Sequence, residues 1–175
     1  KPRTQTYLSE CTFPCDGTSV GRTEIVLKEL LDAIKLVSPR PYMLLRPHPK
    51  DVIEDYEKYR DEFDLISSSG SSIECLYAAD LVVGMTGTVM MEAALMGMSS
   101  LAIVPRMAEL ELLPTIQLGI TPFVTTREQL RSVIVDLVQE KAQVIPIDVD
   151  KVIVSGALQR VVRFVQKQLE KAIDY

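Results

Sequence analysis

The stretch LVVGMTGTVMMEAALMG, Leu81 to Gly97, runs apolar, then small and hydroxylated, then apolar again, with one carboxylate in the second apolar run. That carboxylate, Glu92, has no Lys or Arg near it in sequence. A charge in apolar company needs a partner, so a partner from outside the protein is expected. The turn before it is suited to an anion. Gly84 and Gly87 let backbone approach a ligand closely, and Thr86 and Thr88 add hydroxyl donors. The turn opens into a predicted helix, whose free N–H groups and positive dipole end attract a group such as phosphate. It is neither a Walker A loop nor a Gly-x-Gly-x-x-Gly fingerprint. The same residues also read as a plain tight turn with an N-capping threonine. Glu92, one turn into the helix, gains about 0.3–1 kcal/mol from the dipole. That gain accounts for its tolerance but not for its surroundings. A carboxylate accepting two ribose hydroxyls, with phosphate at the helix start, accounts for both.

LLRPHPKD is the second distinctive stretch. Pro47 and Pro49 fix the backbone around His48, the sole histidine, and exclude regular structure there. Arg46 and His48 are candidates to meet a phosphate, and a protonated His48 is a candidate to stabilise a departing nucleotide. In ISSSGSS, Ser69 and Gly70 offer a hydroxyl and a glycine at another helix start, and read equally as a polar loop with capping serines. Arg106 is either a phosphate or sugar contact or a surface arginine. Glu109 and Glu111 read as a solvated face. The methionines read as core filler.

The elements that must position these groups alternate between short apolar runs and amphipathic runs, the pattern of an α/β fold with a parallel sheet. Strands are expected at 6–10, 42–46, 63–67, 80–84, 100–105 and 122–125. The fourth is apolar on both faces, as a buried parallel strand should be. Helices are expected at 23–37, 51–59 (charged and on the surface), 72–78, 88–96, 109–118 with Pro114 as a break, and 126–141. A long amphipathic helix over 155–173 ends the chain. In such sheets ligands bind beyond the carboxyl ends of the strands. Glycines, hydroxyls, Arg46, Arg106 and His48 all fall there.

The 175 residues suit one domain, and 47% hydrophobic with 25% charged is an ordinary globular balance. The net charge of −5 argues against a nucleic-acid surface. No apolar stretch reaches the roughly 18 residues of a transmembrane helix, and the polar first residues predict no signal peptide. The three cysteines, Cys11, Cys15 and Cys75, form no closed disulfide set. They fit a reducing, cytoplasmic setting, and a zinc site is not expected.

RPHP, followed by a polar turn and then ADLVVGMTGTVMMEAALMGMSSLAIVP, resembles the C-terminal, nucleotide-sugar-binding half of GT-B glycosyltransferases. It is also similar to the related non-hydrolysing nucleotide-sugar 2-epimerases. The resemblance runs from Thr6 to Thr126. It implies a doubly wound, mostly parallel six-stranded sheet with helices on both faces, in a Rossmann-like single domain. It implies that the Thr86-Gly87-Thr88 turn contacts the donor diphosphate and that Glu92 holds the ribose. His48-Pro49 resembles a pair that contacts donor phosphate in capsule and sialic-acid-type transferases, although those enzymes' serine motif does not align with Ser67 to Ser69. The nucleotide-sugar is then a substrate, with no cofactor or metal expected. GT-B enzymes close their active site between two domains, so a partner half preceding Lys1 is implied. Half of a 2-epimerase, or a non-catalytic nucleotide- or phosphate-binding module, are the alternatives.

Overall fold

A computed structural model describes residues 11–14, 21–139 and 156–173. The chain is α/β. Helix α1, Arg22–Ile34, carries apolar residues on two sides. Strand β1, Leu44–Leu45, leads through 3-10 turns at Ile53–Glu62 to β2, Leu65–Ile66, which pairs with it in parallel, Leu44 opposite Leu65. Helix α2, Ser72–Ala78, precedes β3, Val82–Gly84, and α3, Thr88–Leu95, leads on to β4, Ser100–Ile103. A 3-10 segment, Met107–Leu112, and a short helix α4, Pro114–Gln117, lead to β5, Phe123–Val124. Helix α5 is Arg127–Val138, and α6 is Ala157–Ile173.

The six-stranded sheet expected from the sequence is not what these residues form. They make two parallel sheets, β1–β2 and β3–β4–β5, with β4 in the middle of the larger one. The strands are two to four residues long. β1 stops at Arg46 because Pro47 has no N–H to give a ladder. The expected strand at 6–10 lies outside the described residues.

β4 is the strand buried on both faces. Leu101 and Ile103 face a core cluster with Phe13, α1 and α5, while Ala102 and Val104 face Met90, Leu113 and Ile116. Helices therefore cover both faces of this sheet. β3, expected to fill that role, is only half-buried because it lies at the sheet's edge. Gly84 on β3 lies against α3, where a Cβ would stand 2.5 Å from Met90 Sδ. Helix α3 ends in a Schellman turn: Gly97, at φ +71, lets its own N–H reach Ala94 O and the Met98 N–H reach Ala93 O.

α1 is shared by the two sheets. Ile25, Val26, Ala33 and Ile34 join the larger core, while Leu27 and Leu31 meet Tyr56, Tyr59, Phe63 and the β1–β2 pair. The 51–59 segment was expected to be a charged surface helix. It is instead a 3-10 run from Ile53 to Glu62 that buries Tyr56 and Tyr59, because both rings reach α1.

Thr126 caps α5 through a capping box with Gln129. Arg127, next in line, grips Glu29 on α1 with two bonds, at 2.7 and 2.5 Å. Glu29 is 4% exposed, so this pair fixes α5 against α1. The Glu29 carboxylate holds the Arg127 guanidinium above its ordinary pKa.

Arg127→Met leaves Glu29 buried without its cation, and urea unfolding is expected to show a loss of about 3 kcal/mol. Combining it with Glu29→Leu should recover most of that loss, since a buried pair replaced by apolar side chains is often neutral.

Candidate functional site

The carboxyl ends of the strands carry the candidate residues in two clusters. The first surrounds Thr86, in the turn between β3 and α3. Its hydroxyl oxygen accepts from Arg22 Nη2 at 3.0 Å. Arg22, the first residue of α1, also places Nε 3.0 Å from Glu109 Oε2, an ion pair without hydrogen-bond alignment. Arg106, just beyond β4, donates Nε–H to Glu109 Oε1 at 2.9 Å, and its Nη2 reaches the same oxygen. A small recess nearby is lined by Cys11, Arg22, Ile25, Pro105 and Arg106. Across this edge, the Thr12 hydroxyl and amide both reach Pro105 O, at 3.0 and 2.8 Å, and the hydroxyl also meets Thr125 O.

Glu109 therefore overturns its reading as a solvated face. It is 2% exposed. The 3-10 turn starting at Met107 brings it under Arg106, three residues back, and into reach of Arg22. Glu111, by contrast, is exposed. Arg22 carried no local signal, because it lies about half the chain away from Glu109, whereas Arg106 lies only three residues from it.

The second cluster surrounds Arg46. Its Nη1 donates to Ser67 O at 3.2 Å and Ser67 Oγ at 3.1 Å, and meets Ser69 O; its Nη2 donates to Gly70 O at 2.7 Å. Gly70 has φ +77, which orients the carbonyls of this turn inward without a side-chain penalty. Arg46 thus organises the Ser67–Gly70 turn. Ser71 then caps α2 by accepting from the Ile73 N–H at 3.2 Å.

His48 is exposed and its backbone is tied down. Its N–H donates to Asp51 Oδ2 at 3.1 Å and its carbonyl accepts from Asp51 N at 2.8 Å. Its Nδ1 accepts from the Lys50 N–H at 3.1 Å, which requires that nitrogen to be unprotonated and leaves Nε2 to carry the proton. Tyr56 donates to the same Asp51 oxygen at 2.5 Å. Burial, followed by this bond, pushes the Tyr56 phenol far above its ordinary pKa. Neither His48 nor Arg46 bonds to the Thr86 turn.

The N-cap of α3 is Gly87, with no side-chain cap; Thr88 is the first helical residue. Gly87 and Thr88 are exposed, and a Cβ on Gly87 would meet nothing within 4 Å. Gly84 differs, since Met90 fills the space beside it. Glu92 lies half-buried among Met91, Ala93 and Ala94. Its Oε2 is buried and has no hydrogen-bond partner. No ion pair to Glu92 occurs among the described residues.

Comparison with protein-family models, with curated proteins and with solved structures finds no match for this chain.

Arg46→Lys should free the 67–70 turn, because one ammonium cannot span four acceptors. Hydrogen exchange at residues 67–72 is expected to accelerate while the β3–β5 core stays protected. Glu109→Gln should lower stability by about 3 kcal/mol, as removing one charge from a buried pair does, read as a shift of the urea midpoint.

Proposed function

We propose that this chain is the donor-binding domain of a glycosyltransferase of the GT-B kind, taking a nucleotide-sugar at the carboxyl edge of its strands. In this reading the domain works with an N-terminal partner half, in the cytoplasm, in surface-polysaccharide or glycolipid assembly.

The observation that carries this reading is the buried Glu92 Oε2 with no protein partner. A buried acceptor left unbonded costs about 1–3 kcal/mol, and more when charged. Ribose hydroxyls would supply the missing donors. Further support lies one turn back. Gly87 gives α3 no side-chain cap, Gly87 and Thr88 are exposed, and of the first three N–H groups only that of Met90 bonds back, to Gly87 O at 3.0 Å. A diphosphate there would meet backbone donors, the helix dipole and the Thr88 hydroxyl. Thr86 would be steered by Arg22, which already donates to it.

In transfer, an acceptor hydroxyl would bond to the sugar's anomeric carbon and give its proton to a base outside this domain, as the bond from that carbon to the phosphate oxygen breaks and negative charge gathers on the departing nucleotide. Fixed donors at the helix start stabilise that charge without reorganising. His48 can add its Nε2–H while neutral. Arg46 acts through the Ser67–Gly70 turn that it organises rather than by direct phosphate contact. Arg106 has its Nε and one amino group turned toward Glu109, and so sets the edge of the site.

Calorimetric titration with UDP, GDP and CMP tests the reading on the wild-type chain and on Glu92→Gln. Binding of one nucleotide is expected, weakened about 10- to 100-fold in the variant by loss of a charged hydrogen bond. Glu92→Leu should match or exceed wild-type stability while losing the nucleotide, since it removes an unsatisfied carboxylate. No binding at millimolar concentration, or a Glu92→Leu chain that unfolds, would overturn the assignment.

A further inference from the structure

Helix α6 is laid out differently from the rest of the chain. Residues 156–167 are all exposed, including Leu158 at 72%, Phe164 at 64% and Val161 at 59%. At 100° per residue, Leu158, Val161, Val162, Phe164 and Val165 fall on one side of the helix, and Arg160, Arg163 and Lys167 fall on the other. The helix sequence holds four cations and one carboxylate, in a chain whose 24 carboxylates outnumber its 19 Lys and Arg. Cationic charge and uncovered apolar surface therefore coincide on one element of an acidic protein.

We infer that α6 is a docking element for an anionic lipid surface, lying in the plane of the interface. A protein groove would take up the apolar stripe and make no use of the basic face that carries Arg163 and Lys167. A bilayer with acidic headgroups takes both, the stripe at the acyl boundary and the long Arg and Lys side chains among the phosphates. No helix among the described residues is long and apolar enough to cross a membrane, so the contact is one of attachment and not of insertion through the bilayer. The inference does not depend on the nucleotide site, which lies on other elements.

The test is cosedimentation of the full 175-residue chain with vesicles of phosphatidylcholine alone and of phosphatidylcholine mixed with phosphatidylglycerol. Binding is expected only to the mixed vesicles, and it should weaken with added salt as the surface charge is screened. Arg163→Glu with Lys167→Glu should reduce binding at least tenfold, as should Val161→Asp with Val165→Asp. If the second variant unfolds by circular dichroism, the first decides, because both its positions are exposed. No binding to mixed vesicles at low salt overturns the inference, as does binding indifferent to the charge reversal. A dimer by light scattering that the Val161 and Val165 changes dissociate, without vesicle binding, would make the stripe a protein interface and overturn it equally.

Discussion

The carboxyl edge of the fold depends on withdrawing the Glu109 carboxylate from water. At 2% exposure it needs cations, and it takes them from the start of α1 and from the residues beyond β4. Arg22, held there, reaches across to Thr86. One buried charge thereby sets the relative positions of three chain segments that sequence order keeps apart. Glu29 does the same one layer away, holding α5 to α1 through Arg127. Glu92 stands apart from both, with a buried oxygen that no protein donor meets. Glu109 Oε2 also lacks a hydrogen bond but has the Arg22 cation 3.0 Å away, and Glu92 has neither, which is the contrast that favours a ligand there.

The second organising feature is α1 itself. Its apolar residues serve two sheets at once, so the β1–β2 pair and the three-stranded sheet share a wall rather than a continuous ladder. The cluster around Arg46 and the cluster around Thr86 accordingly sit on separate sheets. Each is organised by its own arginine. The arginine at the first satisfies carbonyls, whereas that at the second meets a hydroxyl and a carboxylate.

Local chemistry was legible in the sequence where the signal is local. The spacing of Ile25, Val26, Leu30 and Ile34 marks α1. Thr126 announces α5, and Ser72 to Ala78 forms the short helix expected there. The turn from Gly84 to Thr88 lies between a strand and a helix, as its residue types require. What was not legible is long-range. Glu29 and Arg127 stand 98 positions apart, and a Glu on an amphipathic helix looks solvated until its partner is known. Glu109 reads as exposed because the sequence shows neither the 3-10 turn that folds it onto Arg106 nor the distant Arg22. Arg46 reads as a phosphate candidate from the sequence, which does not reveal that the turn after β2 folds its carbonyls back onto the guanidinium. The extent of the sheet was unreadable as well, since runs of two to four paired residues carry almost no periodicity.

Met90 and Gly84 pack as one unit. The thioether occupies the volume that any side chain on β3's last residue would claim, and Met90 is itself 3% exposed with core on its other side. Neither position can drift independently. A larger residue at 84 survives only alongside a shorter one at 90, and a shorter residue at 90 alone opens a void beneath the turn. Among descendants of this chain, the two sites should therefore covary, with the geometry of the Thr86 turn inherited through the pair.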